Sequence, residues 1–358
     1  MWLMAGAGAH AQSSSSAPEF TVDPSWPTIP NGWVLGEVTS VSVDRNDNIW
    51  VLHVPQSVPE DQRANAAPPV LQFDAAGNLL ASWGGPGNGS VWLGREHSIF
   101  VDDDDFVWLG GRAGWPRATA PGVSDDMILK FTMTGEFVMQ IGQSGASTGN
   151  LDTENVRQAT DVFVDTEARE VYVADGYGNN RVIVFDSETG EFKRMWGAFG
   201  NPPPATSEPN VPVPQPQETP DGPPEFGLPH AIKVSDDGIV YLADRINNRI
   251  QMFTRDGEFL RQVRLTNEGS DVVPVPAGFA FSPDPDQQFL YVVDSGAMRV
   301  VIFDRATMTQ IGAVGSRGDN PGEFDIVHHM ATDSQGNLYT AEIVNQRRAQ
   351  KFELVATP

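Results

Sequence analysis

One short pattern recurs six times along this chain, and a chain built of copies buries its hydrophobic surface between neighbouring copies rather than inside any one of them. An apolar run ends on a polar residue at positions 44, 102, 165, 235, 282 and 333. The six segments read TSVSVD (39–44), HSIFVD (97–102), TDVFVD (160–165), HAIKVS (230–235), AGFAFS (277–282) and HHMATD (328–333). Their spacing of 47 to 70 residues is that of one small β-sheet with loop insertions of variable length.

After each polar residue comes a turn rich in Asp, Asn and Gly, and then a second apolar run holding an aromatic: NIWVLHV, FVWLGGR, EVYVADGY, IVYLADR, FLYVVDS and NLYTAEI. Most copies continue into a third run and a hairpin, as in MILKFTMTGEFVMQIG (127–142), RVIVFDSETGEFKRMWG (181–197) and RIQMFTRDGEFLRQV (249–263). Alternation has period two throughout, the turns use hairpin chemistry, and no segment reads as a long amphipathic helix. Six four-stranded units predict an all-β chain closed as a six-bladed β-propeller, one domain over 20–358. The last copy lacks a fourth strand. FTVDPSW (20–26) is expected to supply it from the N-terminal side and close the ring.

Residues 1–19 read as the remnant of a secretory signal with a linker: small residues surround Ala9-His10-Ala11, and Ser13 to Ser16 follow. The mature chain is accordingly expected to be periplasmic or secreted. The absence of cysteine does not bear on that expectation. Hydrophobic residues make up 40% of the chain, and no run approaches the length of a membrane span. A formal charge of −24 disfavours nucleic acid and anionic membrane surfaces, both of which bind basic patches. The expected partner is a small molecule or peptide, and the chain is read as a monomer.

At the first position of the repeat the six copies carry Thr39, His97, Thr160, His230, Ala277 and His328. In a propeller the first strand of each blade lines the central channel, so these residues form a ring around the axis. Blades two, four and six lie a third of a turn apart. Three imidazoles there would converge on one axial point and leave outer positions open, the arrangement of a catalytic divalent metal, zinc foremost. The alternative is a set of ordinary channel histidines bonded to water. His53 falls in another phase, and His329 should point away from His328 because strand neighbours alternate faces; both read as structural.

The ends of the second strands share a mouth with this ring. They carry Arg112 in GGRAGW, Tyr177 in ADGYGNNR and Arg245 in ADRINNR. A tyrosine beside a metal can carry a proton, and an arginine can hold a carboxylate or a developing oxyanion. Taken singly, each also fits a turn network with Asp175 or Asp244. Three inserts should frame the same face: 55–68, 112–125 with Trp115, and 201–225 with its ten prolines, the last either a semi-rigid cover or a plain linker.

LPHAIKVSDDGIVYLADRINNRIQMF (228–253) and VYVADGYGNNRVIVF (171–185) resemble segments of the peptidyl-α-hydroxyglycine α-amidating lyases, six-bladed propellers of the NHL-repeat type. The resemblance spans about residues 36 to 352. It implies conversion of the hydroxylated glycine of a peptide to a peptide amide and glyoxylate, with zinc on His97, His230 and His328 and Tyr177 as the catalytic tyrosine. This chain departs from the family's pattern in three places. His53-Val54 stands where the family has histidine followed by arginine, Ile326-Val327-His328-His329 where it has Met-Pro-His-Asp, and Gly178 where it has a half-cystine. The lost acidic residue argues against the family's structural calcium. Arg112, at the strand position of Val54 one blade along, is the candidate substitute for the lost arginine, with Arg245 next.

Three functions remain open on the sequence. The first is a metal-dependent lyase or hydrolase in which the metal acts as Lewis acid, Tyr177 as general acid and base, and Arg112 or Arg245 as anion site. The second is a non-catalytic NHL propeller that binds a protein, peptide or glycan on its top face around a structural metal. The third is a copper or iron redox enzyme. The acidic run Asp102 to Asp105 lacks the spaced oxygen ligands of a calcium loop and reads as a solvated turn. No nucleotide-binding glycine motif, nucleophile elbow or cysteine nucleophile is present.

Overall fold

The polar residue that ends each inner strand does so for a local reason. Asp44 Oδ1 accepts the N–H groups of Asn46 and Asn48, and its Oδ2 accepts the indole N–H of Trp50 at 3.0 Å. Asp102 does the same for Asp104, Phe106 and Trp108, and Asp333 for Gln335, Asn337 and the Tyr339 hydroxyl. One carboxylate therefore makes the turn and fixes the aromatic of the next strand. The Asp102 to Asp105 run is such a turn, with Asp105 in the left-handed region at φ 64°.

The computed structural model describes residues 16–87, 91–113, 124–206, 221–267 and 272–356. Six antiparallel four-stranded sheets form the blades of a propeller, each running outward from the axis. The inner strands are Glu37–Val43, Glu96–Val101, Asp161–Asp165, Pro229–Val234, Pro276–Phe281 and Ile326–Thr332. The second strands are Ile49–Val54, Phe106–Gly111, Glu170–Asp175, Val240–Asp244, Phe289–Asp294 and Leu338–Ile343. As expected, the sixth blade takes its outer strand from the other end of the chain: Glu19–Asp23 pairs antiparallel with Ala349–Ala356. Among the described residues no helix is long and apolar enough to cross a membrane.

Apolar residues cluster between blades. Trp50, Leu52 and Val70 of blade one pack with Val107, Leu109 and Leu129 of blade two, and Tyr241 and Met252 of blade four pack with Phe279 and Val292 of blade five. The second-strand aromatics Trp50, Trp108, Tyr172, Tyr241, Tyr291 and Tyr339 are all buried. Each is worth several kcal/mol, about 3–5 for truncation to alanine.

The inner strands share one irregularity that matters for the site. Their pairing with the second strand slips by one residue at Thr39, at His97, at His230, across Ala277-Gly278 and across His328-His329. In blade three Thr160 donates to Ala174 O, although Asp161 is the residue facing Ala174. Every ring position thus sits on a β-bulge, which re-aims a side chain that regular pleating would place elsewhere.

Candidate metal centre

The bulges bring His97, His230 and His328 together on the axis, all fully buried. Their ring centroids lie 5.4 Å (97–230), 4.8 Å (97–328) and 4.9 Å (230–328) apart. Each Nδ1 is tied to a backbone carbonyl of the following blade: His97 to Thr160 O at 2.8 Å, His230 to Ala277 O at 2.7 Å and His328 to Thr39 O at 2.6 Å. A carbonyl only accepts, so all three Nδ1 atoms carry the proton and all three Nε2 atoms present a lone pair. Burial first, and then the neighbouring positive groups, hold the three imidazoles well below the usual histidine range, in the neutral form that binds metal.

The donor set fits a divalent ion. One nitrogen from each ring lies within 4.8 Å of the others. Imidazoles on a tetrahedral zinc place their ring centroids about 5 Å apart, which matches the observed spacing. The carbonyl behind each imidazole is the kind of outer-shell partner by which metal-binding histidines are oriented.

Tyr177 follows the blade-three second strand Glu170–Asp175, and its turn is made possible by Gly176, where any Cβ would overlap Pro229 O just before His230. The tyrosine is buried, its ring centroid 5.0 Å from that of His97, and its hydroxyl donates to His97 Nε2 at 3.0 Å. Arg245 Nη1 donates to His230 Nε2 at 3.2 Å. Arg112 stands with its guanidinium carbon 5.7 Å from the Tyr177 centroid and a guanidinium nitrogen 3.8 Å from Glu37. All six sequence-derived site residues thus gather at one place.

Four features depart from the sequence-based expectations or extend them. His329 does not point away. Its ring stacks on His328 at 4.6 Å and 22°, and its Nδ1 meets Ser40 Oγ at 3.1 Å. The bulge across these two residues breaks the alternation on which that expectation stood. Asp175 and Asp244 do form turn networks, but with Arg181 at 2.9 Å and Arg249 at 2.8 Å rather than with Arg112 or Arg245. In blade two the equivalent position is Gly111, and Asp125 reaches in to accept the N–H groups of Gly94, Arg95 and Ala113. Finally, Arg95 pairs with Glu37 beside Arg112, and Glu96 is buried with its carboxyl raised to about 7 by burial. Both immediately precede His97, so the repeat phase alone could have flagged them.

His53 is structural as expected, accepting from Gly36 N–H at 3.1 Å and donating to Pro68 O at 3.0 Å. Trp115 and the central parts of the 112–125 and 201–225 inserts lie outside the described residues, as do His10 and Ser13 to Ser15. The 55–68 insert leaves Val54 opposite Glu37, on the metal face.

No family model matches the chain. Among curated proteins it is 23% identical to NHL repeat-containing protein 3 of Homo sapiens over 342 residues, 93% of this chain and 84% of that protein. It is 34% identical to peptidyl-glycine alpha-amidating monooxygenase B of Xenopus laevis over 339 residues, 89% of this chain and 34% of that protein. The probable peptidyl-alpha-hydroxyglycine alpha-amidating lyase of Caenorhabditis elegans is 30% identical over 160 residues, 44% of this chain and 36% of that protein. The chain therefore spans about a third of the length of the amidating proteins it matches. Repeat, bulged ring and relatives together describe a six-bladed NHL-type β-propeller that resembles the amidating lyases and carries a three-histidine cluster on its axis.

Proposed function

We propose that this propeller is a metal-dependent lyase that cleaves a carbon–nitrogen bond at a hydroxyl-bearing carbon, with zinc held by His97, His230 and His328. One observation carries the reading: three Nδ1 protons are committed to three carbonyls, so three Nε2 lone pairs converge beside the Tyr177 hydroxyl. When bound, the metal supplies Lewis-acid polarisation of a substrate oxygen. In this reading Tyr177 Oη gives its own proton to the departing nitrogen and takes up that of the substrate hydroxyl, so it ends the cycle protonated as it began. For an N-acyl-α-hydroxyglycine the balance is complete: the carbinol becomes the aldehyde of glyoxylate, and the amide leaves with the transferred proton. Arg245 and Arg112 hold the carboxylate in place of the arginine absent at Val54.

The substrate test is glyoxylate release from N-benzoyl-α-hydroxyglycine by zinc-loaded protein. Tyr177→Phe is expected to lower kcat by roughly 10²–10⁴ while metal content stays at the parent level. Metal without glyoxylate, or a fully active Tyr177→Phe, would overturn the lyase reading. Turnover of small esters in the same screen would move the chemistry to hydrolysis at the same site. Zinc content with neither turnover would favour a binding propeller. The small-residue segment at the N-terminus supports export to the periplasm or beyond.

A further inference from the structure

The bond from Tyr177 Oη to His97 Nε2 has both its ends held by one short segment. Thr160 O accepts the His97 Nδ1 proton at 2.8 Å. Just before it, Gln158 O accepts the Tyr177 N–H at 3.4 Å and Arg157 O accepts the Gly178 N–H at 3.0 Å. The Arg157 N–H donates in turn to Asp175 Oδ1 at 2.7 Å, at the end of the strand that leads into the tyrosine turn. The fit leaves no spare room, because a Cβ on Gly178 would collide with the Arg157 side chain and carbonyl. Residues 157–160 thus fix the tyrosine and the imidazole together.

Gln158 is the unusual member of that segment. It is buried, and its φ of 59° lies in the left-handed region that side chains other than asparagine and aspartate seldom enter. Among the described residues, every other polar side chain in that region is at least partly exposed, and the buried Met298 and Met308 pack in apolar clusters between blades. Two bonds to the end of the 112–125 insert hold Gln158 in place: its N–H donates to Asp125 O at 2.9 Å and its Nε2 to Ser124 Oγ at 3.1 Å. Asp125 also accepts the N–H of Arg95, two residues before His97. A closed circuit therefore runs from the His97 strand through Asp125, Gln158 and Tyr177 back to His97 Nε2. Strain of this kind persists where the surroundings over-determine it.

We infer that Gln158 is a positioning residue for Tyr177: its left-handed backbone and its bonds to Ser124 and Asp125 set the segment that places the tyrosine hydroxyl at the His97 edge of the ring. This rests on Tyr177 being the proton carrier proposed above, and it adds to that reading the residue that aims it. Gln158 touches neither the imidazoles nor the substrate position; it acts through the carbonyls of residues 157 and 158. Relaxing it to an ordinary backbone conformation turns those carbonyls away and frees the tyrosine turn, while the three histidines keep their own carbonyl partners. Tyrosine placement and metal retention are therefore separable at this position.

The test reads the tyrosine with and without turnover, on the full chain. In chelator-treated protein carrying isotope-labelled histidine, Tyr177→Phe marks where the His97 Nε2 resonance goes when the hydroxyl bond is lost. Gln158→Val, whose β-branch disfavours the left-handed conformation, is expected to move that resonance the same way. In zinc-loaded protein it should lower kcat for glyoxylate release from N-benzoyl-α-hydroxyglycine about 10²-fold, with KM changed less than about threefold. Gln158→Asn, which tolerates the conformation and keeps an amide, should restore most of that rate. Gln158→Ala removes the Ser124 anchor and should lower kcat about tenfold, which keeps the test open if the valine variant does not fold. Met298→Val makes the same change at a buried left-handed residue of blade five and should cost stability while leaving the His97 resonance and kcat at parental values. Parental resonance and kcat in folded Gln158→Val protein, or in Gln158→Ala if valine does not fold, would overturn the inference, as would the same resonance change in Met298→Val. The shifted resonance in a protein whose parent releases no glyoxylate would leave this inference standing and remove the lyase reading. Turnover that Tyr177→Phe abolishes and Gln158→Val leaves intact would do the reverse.

Discussion

The even and odd blades carry the same backbone distortion at the ring and use it in opposite ways. In blades two, four and six the bulge presents an imidazole to the axis; in blades one, three and five it presents Thr39, Thr160 and Ala277, whose carbonyls accept the Nδ1 protons of those imidazoles. Imidazole and carbonyl acceptor thus alternate around one circle, each imidazole bridging two blades. The His328 bond to Thr39 O joins the last blade to the first, across the seam that the Glu19–Asp23 strand closes. A metal in this ring is therefore tied to the closure of the whole propeller.

The sharpest way to break the comparison is to remove an even-blade side chain. His97→Ala deletes one of the three candidate ligands and leaves Thr160 O without its donor. Loss of an outer-shell partner alone typically lowers metal affinity about 10–100-fold, so loss of the ligand should exceed that. Metal content measured by elemental mass spectrometry is expected to fall from about one per chain to near background. Protein that keeps stoichiometric metal after His97→Ala would place the ion elsewhere.

Most of the ring was legible because a repeat converts sequence phase into angular position. Once six landmarks are aligned, a residue such as His230 has one place to go, and Glu19–Asp23 is the strand that the sixth blade lacks. What the phase could not carry was parity and partnership. Strict alternation puts His329 on the far side of His328, and a single extra residue in the strand undoes that. Arg95, Glu37 and Arg112 come from two blades, and their pairing depends on how adjacent inner strands meet, which no local pattern encodes. The glycine at 111, where blades three and four have aspartate, is visible in the sequence; that Asp125 would take over its backbone bonds is not.

His53 gives a second contrast, a buried histidine of an odd blade with no place in the ring. Burial lowers its pKa from 6.5 to about 4, against the raising effect of its backbone partner at Pro68. The folded state resists the proton that the unfolded chain accepts, so stability present above pH 6.5 is lost as pH falls toward 4. The loss attributable to this group should reach about 1–3 kcal/mol. His53→Gln, which retains hydrogen-bonding capacity without titrating, is expected to flatten the denaturant midpoint over that window in zinc-loaded protein. An unchanged slope would assign the acid sensitivity to other groups.

The smallest effect tests whether odd-blade side chains matter at all to the ring. Thr160 Oγ1 lies 2.7 Å from both Ala174 O and Pro229 O, joining blade three to the strand of His230, while its own carbonyl holds His97. Thr160→Val removes the hydroxyl bonds and keeps the carbonyl. A stability loss of about 1 kcal/mol is expected, with metal affinity changed less than about tenfold. Chemical denaturation and metal competition measured on the same preparation separate the two. A large loss of metal with little loss of stability would mean that the odd blades hold the ligands through side chains, and the division between imidazole-bearing and carbonyl-bearing blades would have to be redrawn.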